Sequence, residues 1–148
     1  MSVHYNHALI GKEGLIKAYE LEKNGILSGS TLHAIYHDRP IRTDTLLKIL
    51  EYADCRLEDF LLPEKPDRYR KRRHFRLDFK SMERRGIISE IAGRYYRKSL
   101  PMSLSTLDAI ASFYGIGIHD LIKIECVTVR DSSGHLKKQR KMVYLTEN

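Results

Sequence analysis

The 148-residue sequence predicts a mainly α fold, two tandem helical units of one design followed by a C-terminal β-hairpin. Three observations predict it. The chain overlays itself without a gap at an offset of 61 residues. Serine, glycine and proline stand where helices of that unit must start and stop. After Ile124 the residues turn β-prone around a polar turn. The resulting division is a first unit over 1–62, a basic linker over 63–73, a second, divergent unit over 74–123 and the hairpin over 124–148.

The repeat is read directly. Leu21-Glu-Lys-Asn-Gly-Ile-Leu-Ser28 lies over Met82-Glu-Arg-Arg-Gly-Ile-Ile-Ser89, and Pro40 over Pro101. Thr45-Leu46 falls on Thr106-Leu107, Ile49 on Ile110, and Asp59-Phe60-Leu61 on Asp120-Leu121-Ile122. Register kept through turns as well as helices is the mark of a duplicated supersecondary unit.

In the first unit a short first helix is expected near His4 to Lys12, and another from Ala18 to Asn24, stopped by Gly25. The Ser28 hydroxyl can accept from the open N–H groups of the next helix, which runs to about His37 with Leu32 and Ile35 inward. Pro40 ends it. Leu46, Leu47, Ile49 and Leu50 make the apolar stripe of a longer helix, read as core, and 55–62 adds a last short one. In the second unit Ser103 caps Leu104 to Tyr114, and His119 to Ile124 closes the unit. Its start is open: Tyr69, Phe75, Phe79 and Met82 fit a helix in part, whereas Phe75, Leu77 and Phe79 alternate as in a strand. The hairpin is expected over roughly 124–146, with Asp131-Ser-Ser-Gly134 as its turn and 74–79 as a candidate third strand.

Charge is distributed unevenly. The net +7 divides into 7 basic and 9 acidic residues over 1–62, and 19 basic and 10 acidic over 63–148. Residues 65–98 alone hold 13 basic and 4 acidic side chains, densest at Arg68-Tyr-Arg-Lys-Arg-Arg-His-Phe-Arg76 behind Pro63 and Pro66. Such a stripe fits a polyanion, most often nucleic acid. Other classes fall away. The longest apolar run, Ala109 to Ile118, is too short for a membrane span, so no membrane partner is expected. No secretory signal opens the chain, and two cysteines without a CxxC pair fit a reducing cytoplasm. GxxxxGK[ST], GxGxxG and HExxH are absent, so neither an enzyme nor a cofactor is expected.

Short helix, tight turn, Ser-capped helix, proline and Leu-rich helix together form a helix-turn-helix pattern. The stretch from Tyr19 to Tyr36, with Pro40 and Thr45-Leu-Leu-Lys-Ile-Leu50, resembles the Cro/C1-type (xenobiotic-response-element) family of phage and bacterial regulators. Tyr5-Asn6 looks like a subfamily common in mobile elements. The resemblance covers about 4–62, with a weaker likeness over 65–123. It implies a sequence-specific double-stranded DNA-binding protein, a phage or mobile-element repressor. Ser28-Gly-Ser-Thr-Leu32 would open its recognition helix. The second unit departs from the pattern, with Gly93 in place of Leu32 and Tyr96 in place of Ile35.

Helical phase then selects the DNA-facing residues. With Leu32 and Ile35 inward, Gly29, Ser30, His33, Ala34 and His37 face out. The second unit offers Glu90, Ile91, Arg94, Tyr95 and Lys98, with Arg97 at the flank. Arg94 suits a bidentate contact to guanine and Glu90 an acceptance from cytosine. Arg84, Arg85, Lys98 and the cluster Arg70, Lys71, Arg72 and Arg73 suit phosphates. Dimeric regulators of this kind read half-sites roughly 34–36 Å apart, and a tandem chain could do this within a monomer or add a second contact to a dimer. The hairpin edge is the candidate surface for a homodimer.

Other chemistries compete for the same residues. His33 and His37 stand i, i+4 as zinc ligands can, yet two further ligands are not evident, so no metal is expected. Cys55 and Cys126 read as packed side chains rather than nucleophiles. Tyr69, Tyr95 and Tyr96 could stack on unpaired bases, but the helix-turn-helix pattern favours packing and phosphate contacts. The alternative function is a protein-inhibiting factor, anti-CRISPR or antitoxin-like, that keeps the scaffold for autoregulation. The acidic first unit would then bind a protein partner.

Overall fold

A computed structural model describes residues 3–10, 17–62 and 75–147. The first unit is built on α1 (Ala18–Lys23), α2 (Gly29–Tyr36), α3 (Thr43–Ala53) and α4 (Leu57–Phe60). The second contains α5 (Phe79–Arg84), α6 (Glu90–Arg97), α7 (Leu104–Tyr114) and a 3-10 turn at Ile118–Asp120. Strands β1 (Ile122–Arg130) and β2 (Leu136–Tyr144) follow.

Local chemistry sets these bounds. Gly25 takes φ +69°, a left-handed conformation open to glycine, and turns the chain between α1 and α2. The N–H of Thr31 donates to the Ser28 Oγ at 3.2 Å, and that of Ala92 to the Ser89 Oγ at 3.1 Å. Asp59 accepts from the Arg56 N–H at 3.0 Å, as Asp120 does from Gly117 at 2.9 Å. Positive φ values recur at the 61-residue offset: Gly25 and Gly86, Asp38 and Ser99, Asp54 and Gly115. Leu21, Leu46, Ile49 and Leu50 are fully buried in the first unit, and Met82, Leu104, Leu107 and Ile110 in the second.

Several expectations need correction. No helix forms over residues 3–10; residues 11 and 12 lie outside the described residues. Val3 and Tyr5 are buried while His4 is exposed, a two-residue period that suits an extended segment. Tyr5 pairs with Leu61 in a single antiparallel bridge, and the Leu62 N–H donates to the His4 carbonyl at 2.9 Å. The third strand reduces to one bridge between Arg76 and Glu147, beside a bond from the Leu77 N–H to Thr146. Asp78 cuts the strand short by accepting from the Ser81 N–H at 3.1 Å, which starts α5. Residue 74 lies outside the described residues.

The hairpin starts at Ile122 and runs in register to Tyr144. Asp131 organises its turn, accepting from the Ser133 N–H and hydroxyl and from the His135 N–H. Ile122, Met142 and Tyr144 are buried, whereas residues 128–139 are exposed. Cys126 is exposed on β1 rather than packed, and Cys55 is partly buried. Burial, with Asp59 beside it, pushes the Cys55 thiol up, which favours the unreactive protonated form.

The two units meet at the segments before α3 and α7. The Thr43 N–H donates to the Met102 carbonyl and the Leu104 N–H to the Ile41 carbonyl, each at 2.8 Å. Arg42 bridges Ser103 between them. The hairpin holds this join from one side. The Tyr144 hydroxyl bonds Thr43 Oγ1 at 2.6 Å and the Leu100 carbonyl at 2.8 Å. Arg140 reaches the C-terminal end of α3, donating to the carbonyls of Leu50 and Cys55 and to Asp54.

Candidate nucleic-acid interface

The two Ser-capped helices, α2 and α6, present matched but chemically different faces. On α2, Leu32 and Ile35 are buried, and Gly29, Ser30 and His33 are exposed. His37, also exposed, stands at its C-cap, its ring 4.2 Å from that of His33. Ala34 is only half-exposed and packs toward the core. Ser28 Oγ lies 3.0 Å from the hydroxyls of both Ser30 and Thr31, so the first turn carries a small hydroxyl cluster. This face is compact and presents hydroxyls and imidazoles.

The α6 face is larger and charged. Glu90, Ile91, Arg94, Tyr95 and Lys98 are all exposed, with Ile91 at 61 %. Sequence phase assigned Arg94 and Glu90 to separate bases, whereas they form an ion pair with each other at 3.0 Å. Their side chains are 60 % and 72 % exposed, and an i, i+4 pair in water is worth only about 0.3–0.5 kcal/mol. Such a pair costs little to break. Arg97 lies over the Phe79 ring at 4.5 Å and 3.9 Å from Glu83, and so serves packing of α5 against α6 as well.

Gly93 and Tyr96 explain how α6 keeps the position of α2 with different core residues. A Cβ at 93 would lie 2.8 Å from Glu83 Oε1 and 3.7 Å from Ile88 and Phe79, so glycine lets α5 come close. Tyr96 is fully buried, stacks on Tyr144 at 5.1 Å and donates its hydroxyl to the Leu145 carbonyl. Burial, with Tyr144 nearby, raises its phenol pKa well above the ordinary value, so it remains a donor.

At the end of α2, Asp38 fastens the amino-terminal segment. Its carboxylate accepts from the Tyr5 N–H at 3.1 Å and lies 3.0 Å from His7 Nε2 and 3.6 Å from His4 Nδ1. Burial alone would raise its pKa, but the Tyr5 N–H and the two histidines outweigh it and hold the carboxyl below its usual range.

Arg84 and Arg85 are exposed at the end of α5. Arg84 Nε donates to the Lys80 carbonyl at 3.4 Å, and the Arg85 guanidinium lies 5.5 Å from the Phe113 ring. Arg70, Lys71, Arg72 and Arg73 lie outside the described residues. Arg130, Lys137, Lys138 and Lys141 on the exposed hairpin form a second basic group that the 65–98 charge count passes over. The signal was present in the run Lys137-Lys-Gln-Arg-Lys141.

A short helix, a tight turn and a Ser-capped helix carried on a buried Leu/Ile pair define a helix-turn-helix DNA-binding module. Residues 8–66 match the family model of the Cro/C1-type HTH DNA-binding domain. The match takes in α1 to α4 and ends before the second unit. This segment is therefore a module of DNA binding and transcription regulation. No curated protein and no solved structure matches the chain. No helix among the described residues is long and apolar enough to cross a membrane.

Proposed function

We propose that the protein is a sequence-specific double-stranded DNA-binding repressor of a phage or mobile element, built from two tandem Cro/C1-type helix-turn-helix units. The carrying observation is the likeness of α6 to α2. Ser28 and Ser89 have φ and ψ of −80° and 162° against −79° and 162°, and each caps the N–H three residues on. A helix so capped offers its amino-terminal side chains to base edges in the major groove. Arg94 reads guanine, Lys98 and Arg84 hold phosphates, and α2 contributes a small face that fits closely against the groove.

Selection of bound duplexes from a random pool tests this reading. Arg94→Ala should relax base preference at one position and cost about 1–3 kcal/mol. Lys98→Ala should weaken all duplexes alike and reduce the salt slope by about 1. Failure of either change to affect duplex binding sinks the assignment. The net charge of −2 over 1–62 favours one second reading, a protein partner held by the first unit. Duplex binding that survives loss of the α2 face would support it.

A further inference from the structure

We infer that the chain is its own dimer: it binds one duplex as a monomer and reads two unlike boxes held at one fixed spacing. The inference rests on the DNA-binding reading above and concerns the target that reading leaves open.

The join between the units has the form of a two-fold contact. Thr43 donates to Met102, and Leu104 donates to Ile41. At the 61-residue offset, Leu104 is the equivalent of Thr43 and Met102 that of Ile41. The two bonds are thus one bond and its symmetry copy, which is the signature of an isologous interface. Between them Arg42 faces Ser103, its own equivalent, in an antiparallel bridge. A pseudo-dyad passes between those two residues. In a dimer of identical chains such an axis is generated by association. Here it lies inside one polypeptide.

The recognition helices flank this axis. A surface hollow beside it is lined by Ser30, Thr31 and Ala34 of α2 together with Arg42 and Ser103. The same rotation carries those α2 positions onto Ile91, Ala92 and Tyr95 of α6. By that symmetry α6 takes the inverted counterpart of the place that α2 occupies beside the axis.

Symmetry stops at the side chains. Gly29, Ser30 and His33 correspond to Glu90, Ile91 and Arg94, so two equivalent placements present different donors and acceptors. A palindrome would satisfy one helix and mismatch the other. The join is also pinned in ways a free dimer interface is not. Tyr144 ties Thr43 to the Leu100 carbonyl, and the His119 imidazole donates to the Leu61 carbonyl at 2.7 Å. Both ties cross from one unit to the other, which fixes the distance between the boxes.

The test uses the full chain. Duplexes are selected from a random pool, stoichiometry on the best duplex is measured by native mass spectrometry, and base pairs are then inserted between the boxes. The expected result is one chain per duplex, two unlike boxes, and loss of at least tenfold in affinity on inserting five base pairs. Half a helical turn places the second box on the far side of the duplex. His33→Ala should relax one box only and Arg94→Ala the other. A palindrome occupied by two chains overturns the proposal, as does affinity indifferent to the insertion. Recovery of no duplex at all overturns the DNA-binding reading itself, and this proposal with it.

Discussion

Replacing Tyr144 by phenylalanine removes one oxygen from the join and leaves the ring stacked on Tyr96. That hydroxyl donates to the Leu100 carbonyl at 2.8 Å and so accepts from Thr43 Oγ1 at 2.6 Å. Thr43 Oγ1 in turn accepts from the Met102 N–H at 3.1 Å. Two hydrogen bonds at about 1 kcal/mol each are lost. Thr43 is 2 % exposed, so its hydroxyl hydrogen loses its acceptor where water does not reach, adding about 1 kcal/mol more. The sum is about 3 kcal/mol. With a urea m-value of about 2 kcal/mol/M, the unfolding midpoint falls by about 1.5 M. Thr43→Val gives the matching control, since the double variant no longer contains the orphaned hydroxyl. The cycle should show a coupling of about 1–2 kcal/mol. A Tyr144→Phe midpoint within error of the parent, or strictly additive variants, would refute the claim that this chain of bonds holds the units together.

Other expectations follow from single contacts. Gly93→Ala gains about 0.5–1 kcal/mol of helix propensity and displaces only the flexible end of Glu83, so urea unfolding should show little change or a slight gain. Gly93→Leu, which restores the residue type of Leu32, forces α5 away and should cost about 1–3 kcal/mol by the same measurement. The carboxyl of Asp38 is held below its unfolded value, so its contribution is present above about pH 4 and lost as pH falls through the folded pKa. Asp38→Asn, which tolerates the φ of +51°, should therefore lower stability at neutral pH and flatten the decline below about pH 4. Arg140→Met keeps the aliphatic stem but leaves the Cys55 carbonyl without its 2.7 Å donor, and should cost about 2 kcal/mol in urea titration.

What could be read from the sequence was what is encoded locally. Ser28, Ser89 and Ser103 cap the expected helices because a hydroxyl bonding N–H groups two or three residues on needs only its own turn. The hairpin was legible for the same reason: Asp131 organises it through residues two and four positions away. The expectations about backbone pairing that failed share the opposite property. Residues 3–10 carry enough apolar positions for a helix, but Leu61 and Phe60 offer them backbone partners far along the chain. Residues 76 and 77 meet 146 and 147 for one bridge, too little to make a strand. The Glu90–Arg94 pair lay in plain view at i, i+4 spacing, yet assigning each residue to a base passed over their attraction for one another. The join at 41–43 and 102–104 has no local signature, because Ile41 and Met102 mark nothing until the repeat is folded.

The hydrogen bond between Thr43 and Tyr144 spans 101 residues, and this has a consequence for the order in which the molecule comes into being. The bonds that close the first unit, from His4 to Leu62 and from Asn6 to Phe60, are complete once sixty-two residues exist. The backbone bonds of the join need only residues 41–43 and 102–104, but the hydroxyl tie that pins them waits until β2 has been made, and contacts across so long a loop form slowly. On the ribosome the first unit therefore stands alone for the whole time that the second is being synthesised. The Tyr144 hydroxyl, docking late, ties Thr43 of the first unit to the Leu100 carbonyl of the second.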